Sequence, residues 1–302
     1  MELKMKSIKG MTLALLMLIA AMAGCIGTED ETSDGAEEEK PAFLDASDAG
    51  YTYASDVDNH RSLMQDLCDI KTAASDSNWD EAKNIYTNGK NAEKSDGSYR
   101  TLAGFAAASG KNHNYDSFYG QDGAIGAHIM AAMDGTGDFT GASDTVRYQG
   151  IAKLTANMGM VGYTIHELNA AVAKADAGNT DNDSGAPHNW DEGWAFFHGP
   201  DEHWSCSPAY TMKKRAADYG TETNGVSNAL AASEQAMVDG LAALQAGDKA
   251  GYDAATETVI KNIIITYSQA TLKYTMKMDN NESAAKYQAE GYAFWKTMEA
   301  YA

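Results

Sequence analysis

Apolar residues along this chain recur mostly at steps of three and four, the spacing of a buried stripe on an α-helix. Alanine is abundant, proline occurs only four times, and no stretch shows sustained period-two alternation. The clearest stripe lies within residues 144–175 and consists of Ile151, Leu154, Met158, Val161, Ile165, Leu168 and Val172. The pattern predicts an all-α protein.

The same spacing predicts further helices between polar or glycine-containing turns. They span residues 56–71, 79–86, 123–133, 228–244, 252–278 and 283–301. We interpret the fold as a helical bundle built from duplicated helical units.

The duplication is indicated by a short acidic and aromatic motif. NWDEAKNIYTNG begins at Asn78 and NWDEGWAFFHG begins at Asn189, and EGYAFW repeats part of it from Glu290. We expect two approximate halves, residues 42–140 and 141–302. Each would contain a long helix, a loop and a short helix that begins with Trp-Asp-Glu.

Helix capping is the simplest explanation of the first two copies. Asn is a good N-cap, and a Glu three residues later completes a capping box, so Asn78 and Asn189 are expected to begin helices. Capping does not explain Glu290, which lies inside the last predicted helix. Glu192 and Glu290 are both followed by Gly and an aromatic run, so a site is expected at these two carboxylates, with His166 opposite them.

The N-terminus has the features of a secretory signal. Residues 1–24 contain a basic start and an apolar stretch, and the Ala-Gly that precedes Cys25 suggests a lipoprotein signal peptide with Cys25 as the lipidated residue. The alternative is an uncleaved N-terminal anchor. Residues 25–41 are acidic and polar, which predicts a flexible tether. Residues 42–302 would form the folded domain.

Charge and cysteine content narrow the class of protein. The formal net charge is −20, and it becomes −22 when residues 1–24, with three Lys and one Glu, are removed. Such a protein repels nucleic acid, so we expect no nucleic-acid partner. Outside the cytoplasm, Cys68 and Cys206 either form a disulfide that ties the two halves together or remain two buried thiols.

The chemistry-bearing side chains are densest between His188 and His203. Three of the seven His, several carboxylates and several aromatic residues fall within this stretch. His and carboxylate together suit zinc or iron, although the spacing is not a His-Glu-x-x-His motif. A second group, His166 and Glu167 with Tyr163 one turn earlier, lies on the long predicted helix.

HNWDEGWAFFHG, YTIHELNAA and YQAEGYAFWKTMEAY resemble the low-iron-inducible periplasmic, or iron-assimilation, proteins of algae, which are related to the phytotransferrins. IYTNGKNAEKSDGSYRTLAGF also resembles that family, and the resemblance extends over about residues 56–302. A looser similarity links the chain to imelysin-type lipoproteins, which are duplicated helical bundles.

The resemblance implies capture of ferric iron outside the cytoplasm. Ferric iron prefers carboxylate and phenolate oxygens with some imidazole. The motif positions that offer such ligands are Tyr163, His166, Glu167, His188, Asp191, Glu192, His198 and Glu290. Arg100 and Arg147 are candidates to hold an anion, such as carbonate, beside the metal.

The resulting hypothesis is a lipid-anchored iron-binding protein of the cell surface or periplasm, which is not an enzyme and which passes iron to a permease. A secreted metal-dependent hydrolase is one alternative, with a Glu as base beside a His-carboxylate metal. A surface interaction module without metal is the other.

Overall fold

A computed structural model describes residues 48–109, 114–279 and 283–302 of the chain. The signal peptide, the lipidated Cys25 and the tether, predicted for residues 1–41, lie outside the described residues. All helices and strands described below lie within one compact unit of the chain, residues 40–302.

The first elements are helices of one to five turns. They are α1 (Asp58–Ser75), α2 (Trp79–Asn88), α3 (Leu102–Ala106), α4 (Asn114–Tyr119) and α5 (Ala124–Asp134). Asn78 caps α2 as the sequence predicts, because its side-chain oxygen accepts a hydrogen bond from the Glu81 amide at 3.3 Å.

The long predicted helix at residues 144–175 is present, but its middle is irregular. It consists of α6 (Asp144–Lys153), a π-helical segment (Leu154–Gly159) and α7 (Met160–Asp176). The side chain of Asn157 in the π-helical segment accepts a hydrogen bond from the Tyr267 hydroxyl at 2.9 Å. π-Helical turns inside α-helices are frequent at functional sites.

The second part of the chain completes the bundle. Its helices are α8 (Ala186–Phe197), α9 (Pro208–Tyr219), α10 (Asn228–Ala246), α11 (Lys249–Met278) and α12 (Ala284–Met298). The short strands β1 (Glu222–Thr223) and β2 (Val226–Ser227) pair antiparallel between α9 and α10. Among the described residues, these two short strands form the only β-sheet, and the rest of the regular structure is helical. The structure therefore confirms the all-α prediction.

The start of α8 corrects the prediction for the second Trp-Asp-Glu motif. The helix begins at Ala186 rather than after Asn189, and Pro187 lies in its first turn. Proline suits that position because its missing N–H would have no partner there. Asn189 is therefore inside the helix and does not cap it, so the two copies of the motif occupy different positions in their helices.

Two clusters of buried apolar side chains form the core. One surrounds Trp190 of α8, whose indole donates to the Met237 carbonyl at 2.8 Å. Gly240 of α10 faces the same indole, and an added Cβ would overlap the ring. The other cluster lies between α1, α2, α5 and the long irregular helix, around Leu63 and Ile129.

Cys68 of α1 and Cys206 form a disulfide, which resolves the alternatives that the sequence left open. Their Cα atoms are 5.6 Å apart, and the bridge closes a loop with a sequence separation of 138. No helix of the described residues is long and apolar enough to cross a membrane.

We expect the disulfide to contribute about 2–4 kcal/mol to the free energy of unfolding, because it restricts a long loop of the unfolded chain. Replacing both cysteines by alanine should lower the urea midpoint by a corresponding amount. Reductant should lower the wild-type midpoint and leave that of the double variant unchanged. A wild-type midpoint that does not respond to reductant would contradict the bridge.

Candidate functional site

Glu192 of α8 receives two imidazoles on one carboxylate oxygen. His60 Nε2 lies 2.8 Å from Glu192 Oε1, and His188 Nε2 lies 3.2 Å from the same oxygen. The side chains of His60 and Glu192 are 8% and 12% exposed, while that of His188 is 23% exposed. His188 is thus the most exposed of the three side chains around this nearly buried charge.

Helix geometry explains why these three side chains meet. His188 precedes Glu192 by four residues on α8, so both lie on one face of that helix. His60 lies on the buried stripe of α1 that continues through Met64 and Leu67. Since α1 packs on α8, the first turn of that stripe brings His60 to Glu192.

A second carboxylate is held beside Glu192 by an amide. Asn189 Nδ2 donates to Glu167 Oε2 at 2.5 Å and lies 3.3 Å from Glu192 Oε2. Glu167 is buried on α7. Two carboxylates from different helices thus share one donor, and this is a costly arrangement unless cations or protons compensate it.

Tyr163 of α7 lies one turn before Glu167. Its ring is stacked between Phe105 and Phe196, with centroid distances of 3.9 Å on both sides. Its hydroxyl accepts a hydrogen bond from Arg100 Nη1 at 3.1 Å, and Arg100 Nε donates to Asn59 Oδ1 at 2.7 Å. The phenol is therefore fixed in position with a guanidinium beside it.

We call His60, Tyr163, Glu167, His188 and Glu192 together the His60–Glu192 cluster. They come from α1, α7 and α8 and include two imidazoles, two carboxylates and one phenol. Asn189 and Arg100 support the cluster through the hydrogen bonds described above.

Burial and hydrogen bonding have opposite effects on the pKa values of the histidines and of Glu192 in this cluster. Burial alone would raise the pKa of Glu192, but hydrogen bonds involving His188, His60 and Glu167 together hold it well below its usual range. The hydrogen bond to Glu192 raises the pKa of His188, whereas burial lowers the pKa of His60. Burial also raises the pKa of Tyr163 to about 12.

Asp191, a candidate ligand, has a different environment. Its Oδ1 accepts a hydrogen bond from the Tyr51 hydroxyl, and its Oδ2 accepts bonds from the amides of Ala54 and Ser55 and from the Ser55 hydroxyl. Burial nevertheless raises its pKa to about 6. Asp191 therefore fastens residues 51–55 to α8, which occupies the oxygens that a metal would need.

Two other candidates serve local structure. His198 Nδ1 lies 2.8 Å from the Gly199 carbonyl, and the ring stacks on Trp194 with centroids 5.2 Å apart. Arg147 donates to the Met133 carbonyl at the end of α5 and lies over the Trp79 ring, 4.4 Å from its centroid. Neither contacts the His60–Glu192 cluster.

Glu290 also lies away from Glu192, which corrects the expectation of one site with both carboxylates. Glu290 of α12 interacts with Lys153 and Tyr274, because α12 packs on α6 and α11 rather than on α8. His166, the residue expected opposite these carboxylates, is partly exposed on α7 with its ring 5.5 Å from Phe105.

His60 and Asn189 are the residues whose roles the sequence did not reveal. His60 had a detectable signal, since it is a polar residue at the start of an otherwise apolar helical stripe. Its Nδ1 and Nε2 are both buried, and neither has a hydrogen-bond partner of good geometry among the described residues, although Nε2 lies 2.8 Å from Glu192 Oε1. The sequence predicts Asn189 as a helix cap, and the contact that Asn189 makes instead depends on the earlier start of α8.

The side chains of the cluster contact one another directly and do not surround an empty space of the size of a metal ion. Within the described ranges, no group of three or more His, Cys, Asp and Glu side chains stands ready to hold a metal ion. The donor types nevertheless suit ferric iron, since carboxylate, phenol and imidazole are all within the cluster. Metal binding here requires that the protons between the imidazoles and Glu192 leave.

Comparison with known proteins identifies one family. The family model described as "Fea1: Low iron-inducible periplasmic protein" matches residues 42–298. No curated protein and no solved structure matches the chain. The family description agrees with the extracytoplasmic location and the iron-related role expected from the sequence.

We expect substitution of Glu192 by Gln to lower the pKa of His188, because the charged hydrogen-bond partner that raises it is lost. NMR titration of the imidazole Cε1–H signals measures this. Glu202→Gln is the matched control, since Glu202 is 77% exposed and lies 3.6 Å from the His203 ring nitrogen instead. An unchanged pKa of His188 in Glu192→Gln would contradict the described contact.

Proposed function

The chain belongs to the low iron-inducible periplasmic protein family, and from that premise we propose that it captures ferric iron outside the cytoplasm for uptake. The observation that carries the proposal is the His60–Glu192 cluster. It gathers hard oxygen donors and imidazoles from three helices, and one of the imidazoles, that of His188, is partly exposed.

The proposed ligands are Glu192, Glu167 and Tyr163, with His60 and His188 as imidazole donors. When the cation binds, each carboxylate would give up part of its present contacts with Asn189 or with the imidazoles. A bond to the cation would take their place. The phenol of Tyr163 would ionise on binding, because a trivalent cation offsets the burial that raises its pKa. His166 remains a candidate from its position next to Glu167.

Arg100 is the proposed partner of an anion that binds together with iron, such as carbonate. Its guanidinium contacts the Tyr163 hydroxyl and carries its charge at the edge of the cluster. Guanidinium groups suit carboxylate-like anions because they donate parallel hydrogen bonds. Arg147, the other candidate, is engaged with the end of α5 and is not included.

The proposed cellular setting follows the sequence. Lipidation at Cys25 would hold the domain at the outer side of a membrane, and the acidic tether would let it reach bound or dissolved iron. A permease would then receive the ion. These parts of the proposal rest on residues 1–41 and on the family description.

Ferric binding is expected to produce a visible tyrosinate-to-iron absorption band that Tyr163→Phe abolishes. Titration with a weak ferric chelate, followed by absorbance, measures both the band and the affinity. Tyr252→Phe is the matched control, because Tyr252 is similarly buried but donates to Asp176 outside the cluster. A band that persists in Tyr163→Phe, or no iron binding by the wild type, would overturn this ligand assignment.

Iron affinity is expected to fall as the pH is lowered through the raised pKa of His188, because the imidazolium must lose its proton before the cluster accepts a cation. The apparent affinity should change by roughly tenfold per pH unit for each proton released. Binding calorimetry in buffers of different ionisation enthalpy counts those protons. Affinity that does not depend on pH between 5 and 8 would contradict binding at this cluster.

A metal-free interaction module is the second candidate. Two observations favour it. The side chains of the cluster already contact one another, and among the described residues no group of three or more His, Cys, Asp and Glu side chains is arranged to hold a metal ion. Under this alternative, protein purified without chelators contains no iron, and Glu192→Gln changes stability without affecting any metal content.

A further inference from the structure

A cavity of about 120 Å³ lies at the opposite end of α1 from the His60–Glu192 cluster. Lys71 of α1 lines it, and this residue is roughly 16 Å further along the helix than His60. The cavity lies beside the π-helical segment, the disulfide at Cys206 and the first turn of α9. Its volume corresponds to about four water molecules.

The walls of this cavity are basic, although the formal charge of the whole chain is −20. Its charged wall residues are Lys71, Lys153, Lys214 and Arg215. No described Asp or Glu is among the wall residues. Lys214 is exposed and Arg215 is paired with Asp218, but like charges around one small space still repel each other, and an anion between them would relieve that repulsion.

Arg215 gives an independent indication of a missing partner. The residue is 6% exposed, and its Nη2 pairs with Asp218 at 2.9 Å. Its Nε and Nη1 are buried and have no hydrogen-bond partner of good geometry among the described residues, although the Tyr274 hydroxyl lies close to the guanidinium. A buried guanidinium nitrogen without an acceptor is costly, and an oxygen atom in the cavity would satisfy it.

The charged form of Lys153 is disfavoured beside this cavity. Burial lowers its pKa to about 8, with Lys71, Arg215 and Lys214 adding to the effect and Glu290 opposing it. The hydroxyl of Tyr274 interacts with both Arg215 and Glu290, which places that carboxylate behind the wall rather than inside the cavity. Glu290 therefore offsets the positive charge only in part.

The remaining wall supplies neutral donors. Ser207 is the N-cap of α9 and lines the cavity together with Ser205 and Thr211. The start of a twelve-residue helix adds partial positive charge, and serine hydroxyls donate to oxygen, whereas the Thr211 hydroxyl already donates to Asn157 Oδ1 at 3.3 Å. Four basic side chains, hydroxyls and a helix start together match a small, highly charged oxoanion.

We propose that this cavity binds a small divalent oxoanion of the phosphate and sulfate class, at a site separate from the His60–Glu192 cluster. The anion would accept hydrogen bonds from Arg215 Nε and Nη1 and from the Lys153 ammonium. Its position beside Cys206 would connect α1, α6, α9 and α12. The site does not depend on whether the cluster binds iron.

The test compares inorganic phosphate and sulfate with chloride at constant ionic strength, on the full chain without added metal. Phosphate or sulfate should raise the thermal midpoint in a saturable manner, and chloride should not. Calorimetric titration then gives the affinity for each anion and shows which of the two is preferred.

Lys214→Gln and Lys213→Gln form a matched pair, because both residues are exposed neighbours on α9 and only Lys214 lines the cavity. Loss of the charged contact in Lys214→Gln should weaken phosphate affinity by about tenfold, while Lys213→Gln should leave it unchanged. Lys153→Gln, as a second cavity variant, should weaken it similarly. Equal responses to phosphate and chloride, or equal losses in Lys213→Gln and Lys214→Gln, would overturn the proposal.

Discussion

The nearly buried carboxylate of Glu192 is the constraint on which the candidate site depends. A charge in this position is unfavourable unless it is balanced, and here two imidazoles and one amide provide the balance. Because His60 comes from α1 and Glu167 from α7, that balance also links these two helices to α8. The group that a metal would use is thus a group through which the three helices contact one another.

The helical architecture was predictable because it depends on local periodicity. The apolar stripes predicted most helices close to their observed bounds, and the acidic first turn of α2 revealed its Asn78 cap. The short helices α3 and α4 and the β1–β2 hairpin escaped prediction, since segments of two to six residues carry too little periodic signal. The twelve-residue helix α9 was also missed, because its sequence carries several charged and polar residues.

The site was only partly predictable, because it depends on contacts between distant segments. His188, Glu192, Glu167 and Tyr163 were candidates from their chemistry, and the structure brings them together. The motif alone could not show that Asp191 and Glu192 have different roles. The two residues are neighbours in the chain, but their carboxylates lie on different faces of α8 and have different partners. The resemblance between the sequences around Glu192 and Glu290 implied a shared site, but the two helices pack against different neighbours.

The central claim is that ferric iron replaces protons in the His60–Glu192 cluster. The most direct measurement is anomalous diffraction at the iron absorption edge from crystals loaded with one equivalent of ferric iron. The account predicts a single strong peak within bonding distance of Glu192 and of His60 or His188. A peak elsewhere on the protein, with the hydrogen bonds between the imidazoles and Glu192 intact, would contradict it.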